Sequence, residues 1–159
     1  MGRVDSCLHE SAHSVVRQLL IGDLGEMGFM KRGAYSYPVD RKPFDEMSRS
    51  KLEKIAVVVA AGIVAEESLC SDVGNKSLKA FAISDDEAQL DAIQRICGFS
   101  AEEMRAFHDE ARVLVEAHET TIRKVATEMN RRNKLYGKNV TQLMEKHNRA
   151  GGPASGVEH

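Results

Sequence analysis

Two histidines separated by three residues stand near the start of the chain, in the sequence HESAHSVV at positions 9 to 16. Residues four apart lie on the same face of an α-helix, so His9 and His13 can direct two imidazoles at one point. Glu10 is rotated by about 100° from His9, which places its carboxylate beside that point. The spacing predicts two zinc ligands, with Glu10 as the general base that takes a proton from a zinc-activated water.

A different explanation needs no metal. In a chain with six histidines, this pattern arises by chance in roughly a few per cent of sequences. The motif would then be an ordinary amphipathic helix that contains two histidines by coincidence. Because chance placement on an apolar helix face is rarer still, the motif favours a metal site.

A catalytic zinc ion needs a third protein ligand. In metzincins this ligand is a third histidine, six residues after the second, but here that position is Leu19. That class is therefore excluded. The remaining candidates are carboxylates of later segments, in AGIVAEESL and AISDDEAQL: Glu66, Glu67, Asp85 and Asp86.

Helical register favours Asp86 among these carboxylates. Leu90 and Ile93 follow Asp86 at spacings of four and seven, which gives one inward-facing row, whereas Asp85 shares its face with the polar Gln89. The alternative is that Asp86 only complements the dipole of a first helical turn, which contributes a few tenths of a kcal/mol. Together with the histidine motif, the register predicts Asp86 as the third ligand.

The elements that position these residues are predicted to be mainly helical. A first helix begins after Asp5 as the N-cap and ends at Gly22 and Gly25, and the segment from Gly25 to Pro43 has the composition of one small hairpin or edge strand. Boxes of the form Ser-x-x-Glu predict three further helix starts at Ser50, Ser84 and Ser100. The three resulting helices are expected at about 51–70, at about 85–96 and, as one long or broken helix, from about 101 to 136. A final short helix is expected at 140–147.

Length and composition indicate one domain at residues 1–147, followed by a flexible tail at 148–159 that is rich in Gly, Ala, Pro and Ser. With 22 Lys and Arg against 24 Asp and Glu, the net charge is −2, and no basic block indicates nucleic acid as a partner. The apolar run IAVVVAAGIVA is shorter than the about 20 residues that a membrane span needs. No membrane segment is therefore expected.

The same features predict a cytoplasmic protein. The N-terminus has no pattern typical of a secretory signal. The three cysteines are widely spaced and odd in number, which suits a reducing compartment better than a disulfide framework.

Several motifs together resemble the proteolytic domain of FtsH-type zinc metallopeptidases. HESAHSVV is similar to HEAGHAVV of that family, KRGAYSYP to its PRG-x-ALGY strand, and AAGIVAEESL to its GGRAAEEL helix. AISDDEAQLDAI falls where the family has GASNDLxxAT, and GFSAEEM where it has a GMS turn. The resemblance covers roughly residues 5–144. It implies a mainly α fold with a small β element and a zinc-dependent endopeptidase in which His9, His13 and Asp86 bind zinc and Glu10 is the base.

The chain also departs from that family. It has Ser11-Ala12 where the family has Ala-Gly, Ala61-Gly62-Ile63 where it has Gly-Gly-Arg, and no GxxxxGK followed by Ser or Thr. Nothing in the chain can therefore couple nucleotide hydrolysis to unfolding of a substrate. The expected substrate is a peptide or an already unfolded protein, lying along the strand near Met30 to Tyr35, unless a separate ATPase motor feeds the site.

The family's proteolytic domains assemble as hexamers, so the resemblance also implies a homo-oligomer. Two other functions remain open at this point. In the first, the chain is a catalytically silent zinc-binding module that acts as an adaptor or inhibitor. In the second, it is a metal-free helical interaction protein.

Overall fold

The computed structural model describes residues 3–30, 33–70 and 76–150, with side chains described for 7–30, 33–70 and 85–147. These residues form a mainly helical fold with a small antiparallel sheet, as predicted. The helices are α1 (Arg3–Leu20), α2 (Arg49–Ser68), α3 (Lys76–Cys97), α4 (Ala101–Ala117), α5 (Glu119–Arg132) and α6 (Gly137–Ala150), with a 3-10 helix at Phe44–Glu46. The strands are β1 (Leu24–Met30), β2 (Gly33–Pro38) and β3 (Lys134–Tyr136).

Helix α2 lies at the centre and contacts α1, α3 and α4. From Ile55 to Glu66 every residue of this helix is buried, because neighbouring helices cover its apolar surface on several sides. A helix that is apolar all round is expected to be buried in this way. No described helix has both the length and the apolar character needed to cross a bilayer.

The sheet has the strand order β2-β1-β3, and both pairs are antiparallel. Met27 pairs with Leu135 in this sheet, and both side chains are fully buried. Strand β1 is therefore central, while β2 has one edge that no described strand covers. The β1–β2 hairpin confirms the predicted β element, but the sequence analysis missed β3 and expected helix up to Tyr136.

The predicted helix start at Ser100 is confirmed. Ser100 and Glu103 form the reciprocal capping box at the start of α4, with each side chain bonded to the other residue's backbone N–H. The long amphipathic segment is broken at His118 into α4 and α5. Helix α5 ends where Asn133 adopts a left-handed conformation, and the chain continues from there as β3.

Three predicted helix starts are wrong. Helix α1 includes Asp5, since it is helical from Arg3. Helix α2 is capped by Ser48, whose hydroxyl accepts a hydrogen bond from the backbone N–H of Lys51, and Ser50 lies inside the helix. Helix α3 begins at Lys76, so Ser84 does not cap it. The sequence KSLKAFAIS contains no Gly or Pro that would stop the helix before Ser84.

The last helix is longer than predicted. Helix α6 runs from Gly137 to Ala150, so it includes the first residues of the predicted tail at 148–159. The remainder of that tail, residues 151–159, lies outside the described residues.

Candidate metal centre

Helices α1 and α3 bring His9, His13 and Asp86 together in the interior. The two Nε2 atoms are 3.1 Å apart, and Asp86 Oδ2 lies 3.0 Å from His9 Nε2 and 3.2 Å from His13 Nε2. All three residues are buried, with exposed fractions of 5%, 8% and 5%. Two imidazoles and one carboxylate oxygen from distant segments thus converge on one point and could hold a metal ion.

The triangle has the dimensions of three ligand atoms around a zinc ion. In a tetrahedral site with zinc–nitrogen bonds of about 2.0–2.1 Å, ligand atoms are about 3.3–3.4 Å apart. The three observed separations of 3.0–3.2 Å are close to this value. Asp86 Oδ2 nevertheless accepts no hydrogen bond of acceptable geometry from any described residue. A buried oxygen near two nitrogens without such a bond fits a ligand aimed at a common ion.

Groups of helix α2 hold both imidazole rings at their Nδ1 atoms, on the side away from Asp86. Nδ1 of His13 lies 2.8 Å from the carbonyl oxygen of Val58, and Nδ1 of His9 lies 3.0 Å from Oε1 of Glu66. A carbonyl oxygen can only accept, so Nδ1 of His13 donates its proton and the neutral ring presents a lone pair at Nε2. The Glu66 carboxylate has the same effect on His9. Metal-binding histidines are held by such outer partners in many proteins.

Val58, Gly62 and Glu66 are spaced by four residues along α2 and face the centre as one row. At Gly62 the helix approaches so closely that an added Cβ would collide with His13 and lie 2.8 Å from Asp86 Oδ2. The sequence analysis noted Gly62 only as a departure from the resembled family. Gly62 and Glu66, one turn apart at the end of the apolar run of α2, were the signal that could have found this row.

The carboxylates of the cluster favour the binding of a positive charge between the side chains. Burial alone would lower the pKa of His9, but the carboxylates of Asp86 and Glu66 outweigh it and raise this pKa to about 10. Burial also opposes the shift at His13, whose pKa the Asp86 carboxylate raises. Burial would raise the pKa of Asp86, yet the two imidazoles lower it well below its usual value. The carboxylates and lone pairs therefore stabilise a cation among them, whether a proton or a metal ion.

Glu10 lies next to this cluster. Its Oε2 atom is inaccessible to solvent and has no hydrogen-bond partner among the described residues. Burial raises the pKa of this carboxyl, while the imidazoles of His13 and His9 oppose the shift. A carboxyl with a raised pKa, close to a metal-binding group, has the properties of a general base.

The other carboxylates that the sequence offered as ligands lie elsewhere. Glu66 contacts Nδ1 of His9, on the opposite side of the ring from Asp86, so it supports a ligand and does not join the triangle. Glu67 is exposed and lies 3.8 Å from His108. Asp85 is exposed and accepts a hydrogen bond from Gln89. The structure thus places Asp86, as the register predicted, with the two histidines.

Comparison with known proteins adds no family: no family model matches the chain, and no curated protein matches it significantly in sequence.

Proposed function

We propose that this chain is a zinc-dependent endopeptidase that hydrolyses peptides or already unfolded protein segments. The observation that supports this most directly is the buried triangle of His9 Nε2, His13 Nε2 and Asp86 Oδ2, with sides of 3.0–3.2 Å. Glu10 stands one residue after the first ligand, with a buried carboxylate oxygen that has no described partner. Three protein ligands and an adjacent base are the composition of a catalytic, not a structural, zinc site.

Each residue has a defined part in this proposal. A zinc ion held by the triangle would polarise the peptide carbonyl and make water more acidic. Glu10 accepts the proton of the attacking water at its carboxylate and delivers it to the leaving amine. Its raised pKa suits both steps, because a general base works best when its pKa is near the working pH. Glu66 and the carbonyl of Val58 keep the two imidazole rings in register.

The uncovered edge of β2 supports a peptide substrate. Strand β2 contacts α1, the helix that contains both histidines, and its outer edge pairs with no described strand. An extended peptide can add to such an edge through backbone hydrogen bonds, which do not depend on side-chain sequence. This mode of binding requires an unfolded segment. A separate ATPase motor and assembly into a homo-oligomer are parts of the proposal that come from the family resemblance alone.

The first test measures the metal. Elemental analysis of the purified chain for zinc, iron and manganese should find about one zinc per chain. Asp86→Asn should lower zinc affinity by at least about 100-fold, because a neutral amide is a poor ligand and the ion loses a charge partner. Asp85→Asn is the matched control, since it removes the same charge from the exposed neighbour, and it should bind zinc like the wild type. Equal zinc affinity in both variants would refute the ligand set.

The second test measures cleavage of an unfolded protein such as reduced casein by the zinc-loaded chain. Glu10→Gln should retain zinc and lose at least about 100-fold in rate, the usual contribution of a general base. Zinc without cleavage in either protein would identify the silent adaptor or inhibitor instead. No zinc, together with no effect of a chelator on thermal stability, would identify a metal-free helical protein.

A further inference from the structure

A pocket of about 360 Å³ lies among the helices that contain the metal centre, and the residues that line it are separate from the candidate ligands. It is bounded by α1, by the end of β2 and the segment that follows, by the beginning of α2, and by α3. This volume is within the about 300–1,000 Å³ that is usual for ligand-binding pockets. Its lining combines an apolar group with four cationic side chains and two carboxylates: Arg17, Arg41, Lys42 and Lys51, and Asp23 and Asp40.

On three helices, a residue of the pocket lies about one turn away from a residue that forms or supports the metal centre. Arg17 follows His13 by four residues on α1, and Gln89 follows Asp86 by three on α3. On α2, Ile55 lies one turn before the carbonyl that bonds to His13. One turn of an α-helix rises about 5.4 Å. Since neighbouring residues of an extended peptide are about 3.3 Å apart, the pocket can receive a side chain close to a bond at the metal centre.

The lining of the pocket has more positive than negative groups. Asp23 is the shared partner of two cations, at 2.9 Å from Arg17 Nη1 and 3.4 Å from Lys51 Nζ, so one positive charge of this trio is not compensated. Arg41 stacks on the ring of Tyr37 at 4.0 Å, and the structure gives it no ion pair among the described residues. The metal centre itself is surrounded by carboxylates, so the two neighbouring sites have opposite charge.

Asp40 and Lys42 of the lining pair with each other at 3.9 Å, and another part of the lining is apolar. Phe44, Met47 and Ile55 form this part, and it suits the methylene groups that join a carboxylate to a peptide backbone. A long acidic side chain satisfies both halves of the pocket, because its methylenes contact the apolar wall while its carboxylate faces the cations.

We propose that this pocket binds a carboxylate of the substrate near the cleaved bond, and that a glutamate side chain is its preferred occupant. The inference rests on the proposed peptidase function, because only that function makes the bound peptide a substrate. Binding of the peptide can be tested without turnover. A carboxy-terminal carboxylate has the same chemistry, so the experiment includes it as a separate ligand.

The experiment uses the zinc-loaded Glu10→Gln chain, which holds peptides without cutting them. Its ligands are N-acetylated, C-amidated pentapeptides that differ only in one central residue, Glu, Gln or Lys, and the Gln peptide with a free carboxy terminus. Dissociation constants are measured by NMR titration. The Glu peptide should bind about two- to fivefold more tightly than the Gln peptide, which is the range for one partly exposed charge pair. The Lys peptide should bind most weakly.

The free-terminus peptide identifies the source of the carboxylate. Tighter binding of the amidated Glu peptide supports a side-chain pocket. If the free terminus binds more tightly than the Glu side chain, the preference for glutamate is wrong. Equal affinity for the Glu and Gln peptides would overturn the whole inference.

Charge reversal tests the location of binding. Arg41→Glu should abolish the preference for Glu over Gln, and Lys51→Gln should reduce it. Arg105→Glu is the matched control, because Arg105 is exposed on α4, is outside the pocket and changes the net charge by the same amount. This control should keep the preference. A preference that persists in both pocket variants, or that falls equally in the control, would contradict the proposed site.

The two proposals can fail independently. If the wild type does not cleave unfolded protein but the Glu preference is present and needs Arg41, the peptidase proposal fails and the carboxylate pocket stands. If the wild type cleaves peptides without regard to Glu, the pocket proposal fails and the peptidase stands.

Discussion

Replacement of Gly62 by alanine should separate the stability of the fold from its ability to bind metal. A Gly→Ala change inside a helix normally stabilises it by about 0.5–1 kcal/mol. Here the new methyl group would collide with Cε1 and Nε2 of His13 and lie 2.8 Å from Asp86 Oδ2. Comfortable contacts between carbon atoms are about 3.5–4.0 Å. The His13 ring must therefore move by about 1 Å.

A movement of this size is incompatible with the triangle. The His13 ring is held by its Nδ1 bond of 2.8 Å to the carbonyl of Val58, which a shift of about 1 Å would break, whereas metal–ligand distances tolerate about 0.2 Å. We expect zinc affinity to fall at least about 100-fold. Overpacking lowers the free energy of unfolding by about 1–3 kcal/mol, and the higher helix propensity of alanine offsets part of this loss. The metal-free Gly62→Ala chain should therefore range from unchanged to about 2 kcal/mol less stable.

The assay combines urea unfolding of the metal-free chain with zinc competition against a chromogenic chelator. Ala61→Gly is the control, because Ala61 is the buried neighbour in the same turn and the change removes a methyl group without adding one. It should cost about 1 kcal/mol of helix stability and leave zinc affinity within a few fold. If Gly62→Ala binds zinc as tightly as the wild type, the close approach of α2 to the centre is not as the structure describes.

Three further outcomes are expected. Glu66→Gln should weaken zinc binding about 10- to 100-fold by loosening His9, whereas Glu67→Gln on the exposed side should not; equal affinities would refute the role of Glu66. Zinc binding should release protons, because the pKa of His9 is raised to about 10 and a ligand nitrogen must lose its proton. The apparent zinc affinity should therefore rise with pH towards 10. Calorimetry in two buffers measures the proton release, and zinc binding without proton release at pH 7.5 would contradict this prediction. Ser100→Ala should destabilise the fold by about 1 kcal/mol in urea, with zinc affinity unchanged; full stability would refute the capping box.

The histidine pair and Asp86 could be predicted because their information is local. The spacing of His9 and His13 determines that they share a helix face, and the register of Asp86 with the buried Ile93 determines that it points inward. The exact start of α3 did not affect this result, since a helix that begins earlier at Lys76 keeps the same register. Errors in the predicted helix ends therefore did not change which residues were predicted to form the candidate metal centre.

The supporting parts of the site could not be predicted in this way, because they depend on how helices pack. The carbonyl of Val58 has no signature in its side chain, and Gly62 is important only because α1 crosses α2 at that residue. Strand β3 forms because Asn133 turns the chain back against β1, a pairing across more than a hundred residues. The same packing places Arg17, one turn after His13, in the lining of the pocket. The proposed substrate preference therefore depends on tertiary contacts, whereas the proposed reaction depends on the HESAHSVV motif together with Asp86.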